Sequence, residues 1–92
     1  MRDLTSVTVR VVYLARLRET FAMAGESLAV PAGHEATVAG VLDALRRRGG
    51  PFATELAPGR AVRVAINHAM AQPSDALRDG DELALFPPVT GG

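Results

Sequence analysis

The sequence predicts an α+β fold, a mixed sheet with one main helix packed on one face, from three observations. Hydropathy alternates at period two early in the chain, changes to a helical period across Val38 to Arg48, and returns to period two toward the end. The single strong amphipathic helix therefore falls between two pairs of strand-like segments. The composition, 48% hydrophobic and 22% charged over 92 residues, suits one small soluble core.

The elements follow in order. Val7, Val9, Val11 and Tyr13 form one face of a first strand, with Thr8, Arg10 and Val12 on the other. Ala15 to Ala24 carries Leu17, Phe21 and Ala24 at helical spacing, so a short helix is expected there, ended by Gly25 in a left-handed cap. Glu26 to Val30 before Pro31 reads as a second strand, antiparallel to the first. Thr37 is the expected N-cap of the main helix, whose Val38, Val41, Leu42 and Leu45 line one apolar stripe. Arg46, Arg47 and Arg48 in its last turn complement the helix dipole, and Gly49-Gly50-Pro51 stops it. Phe52 to Leu56 is expected to add one helical turn. Val62 to Ile66 is a third strand, Asn67-His68 a turn, and Ala69-Met70-Ala71 a short returning strand. Gln72 to Leu77 crosses the surface to the turn Arg78-Asp79-Gly80-Asp81. The last strand, Glu82 to Phe86, points Leu83 and Leu85 inward and Ala84 and Phe86 outward. The expected core is Val9, Val11, Leu28, Val38, Val41, Leu42, Leu45, Val64, Ile66, Leu83 and Leu85. Strand–strand–helix–strand–strand is the order of a β-grasp. A ferredoxin-like arrangement needs a second full helix before the last strand, where Gln72 to Leu77 is too short and contains Pro73.

Composition excludes several functions. No cysteine is present, so disulfides, thiolate metal sites and a cysteine nucleophile are excluded. Ten acidic residues balance ten basic ones, which gives no field suited to nucleic acid. All the basic residues are arginine, so no side-chain amine can accept an acyl group. No apolar run is long enough for a membrane span, and a cytoplasmic location is the expectation. His34 and His68 have no ligand spacing, and no metal site is expected.

The most informative stretch is the end, where Pro87-Pro88-Val89-Thr90-Gly91-Gly92 follows the last strand directly. Two prolines fix φ and favour a stiff polyproline-type stalk. A diglycine without Cβ atoms can enter a slot closed to other residues. One domain over 1–92 is expected, with 87–92 protruding by roughly 20 Å if extended at about 3.3 Å per residue.

Four stretches carry a family resemblance: Tyr13-Leu14-Ala15-Arg16-Leu17-Arg18-Glu19, Thr37-Val38, Val64-Ala65-Ile66-Asn67, and Leu77 through Gly92. Together they resemble the MoaD/ThiS-like family of ubiquitin-like sulfur carriers. The Pro-Pro-Val-Thr before the diglycine is similar to the branch that supplies the small, sulfur-carrying subunit of molybdopterin synthase. Gly49-Gly50-Pro51-Phe52 matches no feature of that family. The resemblance implies that an E1-like enzyme uses MgATP to adenylate the Gly92 carboxylate. A sulfurtransferase persulfide then leaves a thiocarboxylate there, and the tail enters a large synthase subunit in a heterotetramer. In that scheme two loaded carriers convert cyclic pyranopterin monophosphate to molybdopterin, and the carrier itself is non-catalytic and holds no permanent cofactor. The family's partner surface maps onto Leu14, Met70 and Phe86. Leu14 and Phe86 also extend outward-facing strand positions beside the root of the tail. A carrier for thiazole or another sulfur pathway, a protein modifier, and an inert interaction module remain as alternatives.

Overall fold

The computed structural model describes residues 5–88. Five strands form one mixed sheet in the order β2-β1-β5-β3-β4: β1 (Ser6–Tyr13), β2 (Gly25–Pro31), β3 (Arg63–Ile66), β4 (Ala69–Ala71) and β5 (Glu82–Phe86). Strand β1 is antiparallel to β2 and parallel to β5, and β3 is antiparallel to both β5 and β4. Helices α1 (Arg16–Phe21), α2 (Val38–Arg46) and α3 (Gly50–Glu55) complete the chain. This is the predicted β-grasp order. Among the described residues no helix follows β3, which removes the ferredoxin-like alternative.

The core lies between one face of the sheet and α2. Val9, Val11, Tyr13, Val64, Leu83 and Leu85 from the strands meet Val38, Val41 and Leu45 from the helix, all buried. Leu28, Leu42 and Ile66 are only half-buried against this cluster, where full burial was expected. Residues from irregular segments replace them: Ala36, Leu56 and Leu77 are buried. Segment 72–77 reaches Leu77 by running along the start of α2. There Leu77 N–H donates to Ala36 O, Val38 N–H to Asp75 O, and Ala39 N–H to Pro73 O.

Local chemistry sets the helix ends. The Thr37 hydroxyl accepts from Gly40 N–H at 3.1 Å, the expected N-cap. Gly40 is required for a second reason, because a Cβ there would lie 2.9 Å from the Glu35 carbonyl carbon and closer still to its oxygen. Helix α2 ends at Arg46 rather than Arg48, and Gly49-Gly50, both at positive φ, turn the chain into α3 with Pro51 in its first turn.

The cap of α1 differs from expectation. Ala22, not Gly25, takes the left-handed conformation, at φ 57°, and α1 stops at Phe21. Gly25 instead begins β2, where a Cβ would stand 2.6 Å from Val11 O. The glycine serves close strand approach, and Ala22 closes α1 with its N–H donating to Glu19 O, just after the buried Leu17 and Phe21.

Candidate functional site

Register assembles the site on the sheet face opposite α2. Val12 pairs with Ala84, Ala84 with Ala65, and Ala65 with Met70, so one apolar row crosses β1, β5, β3 and β4. One step toward the end of β5, Phe86 pairs with Arg63. Leu14 N–H donates to Leu85 O at 3.0 Å, which places Leu14 level with Phe86 as the parallel β1–β5 register continues. The structure thus brings Leu14, Phe86, Pro87 and Pro88 to one end of the sheet, with Met70 two strands away from β5 on the same face.

Exposure separates the three predicted patch residues. Met70 is 63% and Leu14 41% exposed, the two large apolar side chains most open to solvent among the described residues. Phe86 is half-buried rather than exposed, which corrects the sequence expectation: alternation assigns its face but does not set its exposure. Ala65, which the sequence reading did not single out, is buried although it belongs to the outward row. Its signal was available only from the register that sets it between Ala84 and Met70. Val89, Thr90, Gly91 and Gly92 lie outside the described residues.

The strand that leads into Pro87 and Pro88 is fixed at its start. Asn67 N–H donates to Glu82 O, Glu82 N–H donates to Asn67 Oδ1 at 3.0 Å, and Asn67 Nδ2 donates to Asp81 Oδ1 at 2.9 Å. Asp81 Oδ2 accepts from Arg78 N–H, and Asp79 Oδ1 accepts from Thr8 N–H. Asn67 and His68 both have positive φ, the geometry of a two-residue hairpin turn that asparagine tolerates. The Asn67 and Asp79-Gly80-Asp81 stretches of the sequence are therefore one hydrogen-bonded unit that sets where β5 begins.

Beneath Leu14, an aromatic and ionic cluster braces the end of β1. Tyr13 and Phe21 meet edge to face at 4.9 Å, Phe21 stacks on Phe52 at 4.2 Å, and the Arg48 guanidinium lies 4.9 Å from the Phe52 ring centroid. Arg48 holds both oxygens of Glu26 at 2.7 and 2.8 Å, and the Tyr13 hydroxyl donates to Glu26 at 2.7 Å. The Arg48 hydrogen bonds keep the Glu26 carboxyl below its ordinary value despite partial burial, with the Tyr13 bond adding to the effect. Burial, then the bond to Glu26, pushes the Tyr13 phenol up. Phe52, in the stretch that the family resemblance left unmatched, thus completes this cluster. Arg48 belongs to it rather than to the last turn of α2.

No group of three or more potential metal ligands occurs among the described residues, and His34 and His68 are exposed. Two open grooves exist, of about 340 Å³ beside β2 and α2 and about 170 Å³ around Leu42, Pro58 and Arg60. Neither touches Leu14, Met70 or Phe86. Leu14 and Met70 therefore lie on open surface outside both grooves.

A ubiquitin-like β-grasp domain with an apolar outer face at the root of its C-terminal segment is the class these features define. A family model described as the ThiS family matches residues 11–92, and the chain belongs to that family. The Escherichia coli (strain K12) protein named "Molybdopterin synthase sulfur carrier subunit" is 31% identical over 84 residues, covering 91% of this chain and 99% of that protein. The Haemophilus influenzae protein of the same name is 42% identical over 57 residues, 62% of this chain and 69% of that one. Among solved structures, the Haloferax volcanii HVO 2177 protein superposes with a TM-score of 0.79 at 27% identity, covering 100% of this chain and 92% of that one. The putative molybdopterin converting factor, subunit 1, of Pyrococcus furiosus gives 0.75 at 26% identity, covering 90% and 99%. SAMP1 of Haloferax volcanii gives 0.71 at 31% identity, covering 92% and 99%. A chain of the complex of subunits 1 and 2 of molybdopterin-converting factor from Helicobacter pylori shares the fold, at 23% identity and a TM-score of 0.59, covering 94% and 100%.

Proposed function

We propose that this chain is the sulfur carrier subunit of a molybdopterin synthase, docking through Leu14, Met70 and Phe86 and carrying sulfur on the Gly92 carboxyl carbon. One observation carries the reading. In a chain that matches the Escherichia coli sulfur carrier subunit along nearly its whole length, β5 delivers Phe86-Pro87-Pro88 to the sheet end where Leu14 is exposed.

The chemistry needs help from other proteins. A carboxylate is a poor electrophile at neutral pH, since its charge repels nucleophiles and oxide is a poor leaving group. Adenylation by an E1-like enzyme with MgATP replaces that oxide with AMP and releases pyrophosphate. The terminal sulfur of a sulfurtransferase persulfide then displaces AMP. A thiol then attacks the sulfurtransferase sulfur of the resulting acyl disulfide, which breaks the S–S bond and leaves the thiocarboxylate on Gly92 and a mixed disulfide between the sulfurtransferase cysteine and that thiol. The stalk Pro87, Pro88, Val89, Thr90 and Gly91 carries this group into the large subunit, where sulfur passes to cyclic pyranopterin monophosphate. The assembly is a heterotetramer, and the setting is cytoplasmic; no helix among the described residues is long and apolar enough to cross a membrane. The absence of lysine and cysteine leaves no strong side-chain nucleophile on the chain to consume the activated terminus.

The test is intact mass after incubation with adenylating enzyme, MgATP and persulfide donor, followed by molybdopterin formation on adding the large subunit. The expected result is replacement of one oxygen by sulfur and then product, with both lost on deleting Gly92. Deletion sets the carboxyl back by about 3.3 Å, more than near-attack placement tolerates. Unchanged thiocarboxylate and product from the deletion variant would overturn the assignment of Gly92. Likeness to SAMP1 favours a second reading, a protein modifier, for which the same incubation in the presence of lysine-bearing proteins yields high-mass conjugates instead.

A further inference from the structure

The free edge of the sheet at β2 carries an inference separate from the function proposed above. Strand β2 runs seven residues and, among the described residues, is flanked only by β1, whereas the opposite edge strand, β4, has three residues and presents little to pair with. The hydrogen bonds at the two ends of the β1–β2 ladder are Ala32 N–H to Thr5 O and Tyr13 N–H to Ala24 O. Alternation between them turns the main-chain groups of Glu26, Leu28 and Val30 toward β1 and those of Ser27 and Ala29 outward. No hydrogen bond among the described residues uses these outward groups, and both residues are exposed. Proteins blunt such edges with charges, bulges or prolines. Ser27-Leu28-Ala29-Val30 has none of these. The nearby charge, Glu26, is held by Arg48, and proline appears only at the far end, as Pro31.

We propose that this edge is a homodimer interface, formed by antiparallel pairing of β2 with β2 of a second copy about a two-fold axis at Leu28. That axis sets Ser27 opposite Ala29 of the second copy and Ala29 opposite its Ser27, and each pair exchanges both N–H···O bonds. The ladder limits itself, because the next outward pair joins Gly25 to Pro31, which has no N–H. The two sheets become one continuous sheet.

The ground above the edge is complementary as well. A groove of about 340 Å³ there is lined by Val30 and Pro31 from β2 and by one face of α2, including Gly40, Asp43, Ala44 and Arg47. The small residues permit close approach, and Asp43 and Arg47, one turn apart and ion-paired within the chain, put opposite charges on that face. A two-fold axis runs the two α2 helices antiparallel, turning each Asp43 toward the second copy's Arg47. Leu14, Met70 and Phe86 lie on none of these surfaces, so the dimer leaves the outer face open.

The experiment is sedimentation equilibrium of the full chain from micromolar to millimolar concentration, with amide hydrogen exchange at both extremes. The expected weight-average mass climbs from 9.7 kDa toward twice that value, and exchange at Ser27 and Ala29 slows as it does. Ala29→Pro removes an N–H that points outward, so β1 pairing survives while dimer affinity falls about tenfold or more. Should that variant fail to fold, charge exchange replaces it: Asp43→Arg and Arg47→Asp each weaken the dimer, and the double variant restores it. A chain that stays monomeric at millimolar concentration overturns the proposal. So does a dimer whose exchange at Ser27 and Ala29 is independent of concentration.

Discussion

Met70→Ala separates the proposed docking surface from the fold. Met70 sits on the three-residue edge strand β4 with 63% of its surface exposed, so most of what it can bury is still open in the free chain. Full burial of a methionine side chain is worth about 1.5–3 kcal/mol, and the exposed share of that is about 1–2 kcal/mol. At 1.4 kcal/mol per decade, truncation weakens binding of the large subunit about 5- to 30-fold. The loss in folding stability stays under about 1 kcal/mol, since the remaining contact is small. Phe86→Ala is the contrast, because its half-buried ring supports the free protein too. It lowers both affinity and melting temperature, whereas Met70→Ala lowers affinity with little thermal shift. Titration calorimetry against the purified large subunit, with thermal denaturation of each variant, reads both quantities. Unchanged affinity for Met70→Ala would show that the outer face is not where the partner sits. A large thermal shift would show that Met70 supports the fold instead.

Three further outcomes follow from the interior. Gly40→Ala gains about 1 kcal/mol of helix propensity but forces a Cβ into the Glu35 carbonyl, so urea denaturation should show a net loss of about 1–2 kcal/mol; a stabilised variant refutes the contact. Leu45→Ala, at a fully buried position, should cost about 3–4 kcal/mol, whereas Leu42→Ala, half-buried beside a groove, should cost about 1–2 kcal/mol; equal losses contradict the packing. The folded Glu26 carboxyl titrates below its ordinary 4.5, so its stabilisation is complete above that pH and is lost as pH falls through the lower folded value. Melting temperature should therefore fall less between pH 6 and pH 3 in Glu26→Gln than in the parent chain.

The order of elements was legible because period two and period 3.6 are set by which face meets the core, and that rule holds wherever a segment is regular. Thr37 and Asn67-His68 were legible for a related reason: a cap and a tight turn each demand particular side chains. Leu56 and Leu77 were not, since they enter the core from segments without period, positioned by main-chain bonds that only the folded chain defines. Gly25 misled because glycine answers two needs, positive φ and close approach, and the sequence does not say which applies. The same limit holds at the candidate site. Alternation names the outward face of Phe86, but its partial burial and the row Val12-Ala84-Ala65-Met70 depend on strand register.

The position of β5 has a mechanical consequence. It is gripped on both sides, by β1 running parallel and β3 antiparallel, and Asn67 pins its beginning. A pull along the strand toward Pro87 therefore loads both ladders in shear, so that the rungs from Arg10–Glu82 to Tyr13–Leu85 share the force together and cannot be peeled open in turn. A strand at the margin of the sheet would unzip rung by rung under the same tug. Whatever grips the residues beyond Pro88 can thus drag on them, and let go, without unravelling the domain behind.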